Sequence, residues 1–130
     1  MPLVRIDLRR GKPPAYRKAI CDGIYRAMTD TFGVPKDDRF MIVNEHDADS
    51  LVYAESYLGI AHTEDLVVIQ ITANDTRTVE QKQAFFARVA TLLAENPGLR
   101  KGDVFINLVE CKKENWSFGN GIAQYAATTN

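Results

Sequence analysis

The sequence predicts an α/β (α+β) fold in which duplicated β-α-β units form a four-stranded mixed sheet with two helices on one face, in an oligomeric protein. Three observations carry this. The 130-residue chain aligns with itself at an offset of 65, half its own length. Each half reads strand, helix, strand by hydrophobic periodicity. The composition, 45% hydrophobic and 25% charged, is that of an ordinary globular domain and excludes a disordered, collagen-like or coiled-coil chain.

The offset pairs Gly33 with Gly98, Lys36 with Lys101, Asp38 with Asp103, Phe40 with Phe105 and Glu45 with Glu110. It also superposes apolar positions: Val4 and Ile6 on Ile69 and Ile71, and Ile20, Ile24, Ala27 and Met28 on Phe85, Val89, Leu92 and Leu93. One ungapped shift thus aligns strands and a helix together. It divides a single domain spanning 1–130 into halves of about 1–65 and 66–130.

In the first half, Leu3 to Leu8 alternates apolar and polar residues as a half-buried strand does. Ile20, Ile24, Ala27 and Met28 make one helical stripe, and Gly33 is placed as its C-terminal cap. Phe40 to Glu45 closes the unit. In the second half, Leu66 to Thr72 is dense in Val and Ile and reads as a central strand. Thr78, with Gln81 three residues on, forms a capping box that starts the next helix. Phe85, Val89, Leu92 and Leu93 form its stripe, Asn96-Pro97-Gly98 ends it, and Val104 to Glu110 is the last strand. The stretch from His46 to Asp65 fits neither half. From Lys112 onward the chain reads as a loop-like tail carrying Trp116, Phe118 and Tyr125.

Each β-α-β unit is expected to be a crossover between parallel strands. Two units then leave one face of the sheet without helices. Val4, Ile6, Val67, Ile69, Ile71, Phe105 and Leu108 supply more apolar strand surface than two helices are expected to cover, which predicts a homo-oligomer. The 16 basic and 17 acidic residues give a net charge of −1, which argues against nucleic acid as a partner. No apolar run reaches the length of a membrane span. Arg5 and Asp7 interrupt the stretch where a signal peptide needs an apolar core, so the expected location is cytoplasmic. Cys21 and Cys111 have no CxxC spacing and are expected to be reduced and buried. His46 and His62 have no metal-ligand spacing, so no metal is expected.

Several residues are candidates for chemistry. Pro2 follows Met1, and trimming of Met1 exposes a secondary amine. An apolar pocket or a nearby cation brings such an amine toward neutral pKa and makes it a proton shuttle. As a plain strand-start proline it has no such role. Asp38, where a turn enters a strand, either orients water or a hydroxyl or bonds local backbone N–H groups. Arg77 lies in the loop between the central strand and the second helix. There it clamps a carboxylate or sits solvated near the helix start. Trp116, Phe118 and Tyr125 either wall a small apolar pocket or pack the tail onto the core. Gly119-Asn120-Gly121 lacks the spacing of a phosphate loop.

Met1-Pro2-Leu3, the doubled unit, Phe32-Gly33-Val34-Pro35 with Asp37-Asp38-Arg39-Phe40, Arg77-Thr78 with Glu80-Gln81-Lys82, and Asn115-Trp116-Ser117-Phe118-Gly119 span nearly the whole chain. On these residues the chain resembles the tautomerase superfamily. The resemblance is strongest to its malonate semialdehyde decarboxylase-like branch, with the 4-oxalocrotonate tautomerase-like fold. The resemblance implies a homotrimer, no cofactor, and a small keto or enol carboxylic acid as substrate. It implies Pro2 as catalytic amine, Asp38 as the residue that positions water or tunes the proline, and Arg77 as one of two arginines on the substrate carboxylate. Trp116 and Phe118 correspond to the apolar pocket wall. The decarboxylases carry Arg-x-Arg where this chain reads Asp75-Thr76-Arg77. Asp75 opposes a substrate carboxylate, and Asn74 offers a hydrogen bond but no charge. The implied activity is therefore tautomerisation first, with decarboxylation or hydration needing more of the site. The competing reading is a catalytically inactive oligomeric ligand-binding or interaction module of the same fold.

Overall fold

The computed structural model describes residues 2–126. The first unit is β1 (Leu3–Arg9), α1 (Pro14–Phe32) and β2 (Met41–His46). A short hairpin follows, β3 (Ser56–Tyr57) and β4 (Ile60–Ala61), in the stretch that fits neither half of the repeat. The second unit is β5 (Val67–Asn74), α2 (Val79–Glu95) and β6 (Val104–Cys111). The main sheet runs β2-β1-β5-β6. β1 pairs parallel with β2 and β5 parallel with β6, while β1 and β5 are antiparallel. The sheet is therefore mixed, as the repeat predicts.

The register shows how the halves are related. Arg5 lies opposite Gln70, its own counterpart at the 65-residue offset, and Val4 opposite Ile71, with Ile6 opposite Ile69. Each strand thus reads its partner in reverse about the Arg5–Gln70 pair, which places a local twofold axis there. Equivalent loops of the two units consequently lie at opposite ends of the sheet.

Local chemistry sets the helix bounds. Pro14 opens α1, where a missing N–H costs nothing, and Gly33 closes it in the left-handed region at φ 63°, its N–H donating to the Met28 carbonyl. Both bonds of the α2 capping box form: Gln81 N–H to Thr78 Oγ1 at 3.1 Å and Thr78 N–H to Gln81 Oε1 at 2.9 Å. The two helices meet at Gly23, where a Cβ would come within 2.8 Å of Leu93 Cδ2. A larger residue at this position would require the Leu93 side chain to shift.

The core lies between the helices and one face of the sheet: Val4, Ile6, Ile69 and Ile71 against Ile20, Ile24, Phe85, Val89 and Leu93. This corrects the expected surplus of apolar strand. Val4, Ile6, Val67, Ile69 and Ile71 alternate onto the helix face and are fully buried within the chain. Leu108 is half-buried beside them, and only Phe105 lies on the other face, 48% exposed. The open face is mixed. A polar row of Arg5, Gln70 and Asn107 crosses it, with Gln70 donating to Asn107 Oδ1 at 3.1 Å. Ile42, Phe105 and Val109 are its exposed apolar residues. The cysteines also depart from expectation: both are free, but each is half-buried rather than buried.

Asp103 fixes the connection between the halves. It is fully buried and accepts from Thr63 N–H at 2.8 Å, Thr63 Oγ1 at 2.6 Å and Arg100 Nη1 at 3.2 Å. Burial acts to raise its pKa, but the bonds from Thr63 and Arg100 outweigh it and hold the carboxyl below its ordinary value. Asp103→Ala is expected to cost about 2–3 kcal/mol in urea unfolding, because it strands buried donors. Asp103 contributes stability above the ordinary carboxylate range and loses it as pH falls through its lowered pKa, so the gap between wild type and variant should close in acid.

Candidate active site

Because β1 and β5 are antiparallel, the start of β1 lies beside the end of β5, with Leu3 opposite Thr72. Pro2 immediately precedes β1 and is buried. Val4 N–H donates to the Phe40 carbonyl at 3.0 Å, which draws the turn carrying Asp38 to the same end of the sheet. β5 ends at Asn74, and the loop from there to α2 carries Arg77. Three segments distant in sequence thus converge where the chain begins.

Their charges interact. Burial pushes the Asp38 carboxyl above its ordinary pKa, opposed by the positive charges of the chain's amino terminus and of Arg77. Arg77 is half-buried, its guanidinium 4.9 Å from the centre of the Phe32 ring. The ring removes water from one side of the cation and leaves its N–H fork for an anion.

The tail supplies the apolar wall. Trp116 Nε1–H donates to Asn74 Oδ1 at 2.8 Å, tying the tail to the end of β5. Trp116 stacks on Phe118 at 5.6 Å, and Phe118 meets Tyr125 edge-on at 4.9 Å. Gln124 closes the loop by accepting from Phe118 N–H at 3.0 Å and donating to the Gly119 carbonyl at 3.1 Å. A cavity of about 230 Å³ lies among Leu3, Phe40, Trp116, Ser117 and Phe118.

Of the residues singled out in the sequence, Pro2, Asp38 and Arg77 gather at this end of the sheet, and Asn74, Trp116, Phe118 and Tyr125 form one contact chain there. Asn74 is buried, with its carbonyl engaged by Trp116. Asp75 differs. It is solvent-exposed, and its backbone N–H donates to the Cys111 carbonyl at 3.1 Å. Water screens a charge placed there, so its repulsion on an anion near Arg77 is weaker than it would be in a water-excluded site. Leu3, Phe40 and Phe32 were not singled out. Phe40 reads in the sequence as a strand residue matched to Phe105 and Phe32 as a helix-end residue, both inside motifs that carry the family resemblance but neither marked by its spacing as part of a site.

Residues 38–119 match the family model Tautomerase_2, described as "Tautomerase enzyme", and residues 2–60 match a second model, Tautomerase, of the same description. The chain belongs to the tautomerase family. Among its relatives is the probable tautomerase YusQ of Bacillus subtilis (strain 168), 36% identical over 124 residues that cover 95% of this chain and 98% of the relative. Another is the probable tautomerase YrdN of the same organism, 34% identical and covering 96% of each chain. Among solved structures, malonate semialdehyde decarboxylase, described with decarboxylase and hydratase activities, matches with a TM-score of 0.89 and 32% identity over 95% of each chain. FG41 malonate semialdehyde decarboxylase inhibited by 3-bromopropiolate matches at 0.89 and 36%, covering 95% of this chain and 93% of that one. A symmetric trimer of fused 4-OT shares the fold, at 0.78 and 23% identity over 97% and 99%. The doubled β-α-β architecture is thus that of the tautomerase family. No helix among the described residues is long and apolar enough to cross a membrane.

The electrostatics of this tautomerase-family site yield a stability test at Asp38. A carboxyl whose folded pKa is raised binds its proton more tightly in the folded state, so stability falls as pH rises from the ordinary carboxylate range through that raised value. Asp38→Asn is therefore expected to melt higher than wild type at neutral pH. The two melting temperatures should converge once the pH drops below the ordinary range. A variant that is less stable than wild type at neutral pH would contradict this account of the site.

Proposed function

We propose that this chain is a cofactor-independent tautomerase that uses Pro2, freed by removal of Met1, as the acid/base on a small keto or enol carboxylic acid. The observation that supports the proposal is that Arg77 acts electrostatically on Asp38 at the sheet end where the buried Pro2 lies, and that an aromatic-walled cavity beside Leu3 and Phe40 lies at the same end. The unit of function is one domain of two halves, about 1–65 and 66–130, acting as a homotrimer in the cytoplasm.

The roles follow from the surroundings. Burial and the Arg77 charge both favour the neutral form of a secondary amine, while Asp38 opposes them, which keeps the Pro2 nitrogen able to accept and return a proton near neutral pH. In ketonisation the Pro2 nitrogen takes the enol O–H proton as the C=O forms. The resulting prolinium then delivers a proton to carbon, which leaves the amine neutral again. Arg77 holds the substrate carboxylate and Asp38 orients a hydroxyl or water. Trp116, Phe118 and Tyr125, held through Asn74, exclude solvent from the reacting atoms. Decarboxylation or hydration of a substrate such as malonate semialdehyde needs stronger polarisation of its carbonyl. With one arginine instead of two, that activity is expected to be the weaker one. The reading as an inactive binding module rests on the same substitution at Asp75, and Pro2→Ala separates the two.

With Met1 removed, as read by intact mass, the chain is expected to catalyse ketonisation of an enol such as phenylenolpyruvate. Pro2→Ala should lower kcat by about 10²-fold or more, the ordinary contribution of a general acid/base. Equal rates in the two proteins would leave the binding module as the surviving reading. Arg77→Ala should act mainly on KM, and light scattering should give about three times the chain mass. A stable monomer would count against the trimer.

A further inference from the structure

The local twofold axis through Arg5 and Gln70 gives the sheet a second end equivalent to the first. At the 65-residue offset Lys12 takes the place of Arg77, Asp103 that of Asp38 and Val67 that of Pro2. The structure keeps this relationship in space. Lys12, Asp65 and Asp103 all act electrostatically on Tyr16, so they lie together, as Arg77 and Asp38 do at the other end. Lys12 Nζ stands 5.2 Å from the centre of the Tyr16 ring, and Arg77 stands 4.9 Å from that of Phe32. A cavity of about 210 Å³ lies here, lined by Arg9, Arg10, Gly11, Lys12, Glu64 and Asp65.

The two ends differ in what reaches them. At the first, the chain starts. At the second, β5 is entered from the connection that carries Thr63, Glu64 and Asp65. Two carboxylates of that connection meet the cations: Asp65 Oδ1 lies 3.1 Å from Lys12 Nζ, and Glu64 Oε2 lies 3.0 Å from Arg9 Nη1. Arg10 is engaged separately, by Asp47 at 2.5 Å. Thr63, bonded to Asp103, holds the connection in place.

We propose that this second end is a carboxylate-binding site occupied by the chain's own Asp65 and Glu64, and that neutralising these two residues opens it to a small dicarboxylate. Lys12 and Arg9 are then left without anions in a cavity large enough for a few carbon atoms between two carboxylates. The inference extends the reading of Arg77 to its counterpart Lys12, and an Arg77→Ala background keeps the two sites distinguishable.

The test is calorimetric titration with malonate of the full chain carrying Arg77→Ala. Adding Glu64→Gln and Asp65→Asn is expected to tighten malonate binding about tenfold or more, equivalent to about 1.4 kcal/mol. Adding Lys12→Ala as well should abolish that gain. Neutralising two exposed carboxylates elsewhere, Asp37→Asn with Glu95→Gln, changes net charge equally and should gain nothing. Asp65→Asn alone leaves the Arg9–Glu64 pair and should give a smaller gain of the same sign, so the test survives if the double variant folds poorly. No gain in either variant, a gain that persists without Lys12, or an equal gain in the charge control would each overturn the proposal. If Arg77 proves unimportant to catalysis, the titration result at Lys12 still stands on its own.

Discussion

The antiparallel pairing of β1 with β5 is the constraint on which the rest depends. Each β-α-β unit is a parallel crossover and buries one strand face beneath its helix. Neither forms a sheet of more than two strands alone, and a two-stranded sheet under one helix is a marginal structure. Joining them through Arg5 and Gln70 makes a four-stranded sheet with one continuous core and sets the helices side by side at Gly23 and Leu93. A slip of one residue would turn Val4, Ile6, Ile69 and Ile71 to the open face. The register is thus held by the burial of all four, at roughly 1.5–3 kcal/mol per side chain.

The same axis forces a division of labour. The two sheet ends are equivalent in the repeat but differ in the groups that reach them. Asp38 and Asp103 display the outcome. They share a position in the repeat, yet Asp103 is fully buried, bonded by Thr63 and Arg100, and held below its ordinary pKa. Asp38 is half-buried, and desolvation dominates, driving its pKa up. A carboxylate satisfied by fixed donors is structural. At Asp38 burial outweighs the favourable charge of Arg77, so the carboxyl holds its proton more tightly.

Much of this was legible in the sequence because it depends on period and punctuation. The offset of 65, the stripe from Ile20 to Met28, Gly33 and the Thr78–Gln81 box each reflect local rules, and each appears where those rules place it. The face assignment of the strands was less legible. In Leu66 to Thr72 five of seven residues are apolar and only Gln70 and Thr72 mark the outward phase, and most of the surplus expected to remain bare proved to be core. The convergence of Pro2, Asp38 and Arg77 was legible only through family resemblance, since the β1–β5 register that unites them leaves no mark in any one segment. Phe32 and Phe40 escaped because a ring under a cation or beside a cavity has the same spacing as a ring in a core. The pairing of Lys12 with Asp65 escaped for the corresponding reason: charge pairs between distant loops have no periodicity.

The aromatic tail determines how much of the site's electrostatics operates. A cation and a carboxyl in open water interact by about 1 kcal/mol at 4 Å, and several times that once solvent is excluded. The tail adds to the solvent exclusion begun by the Phe32 ring, and it has little core of its own: Phe118 is 37% and Tyr125 42% exposed. Its position instead depends on polar ties. Trp116 is bonded to the buried Asn74, and Gln124 bonds the backbone at both Phe118 and Gly119. Asn74 is therefore better understood through the wall it holds than through any charge it lacks. Solvent exclusion by the tail strengthens any interaction of Arg77 with an anion placed beside it. The amine proposed at Pro2 draws on that same desolvation, which favours its neutral form together with the Arg77 charge.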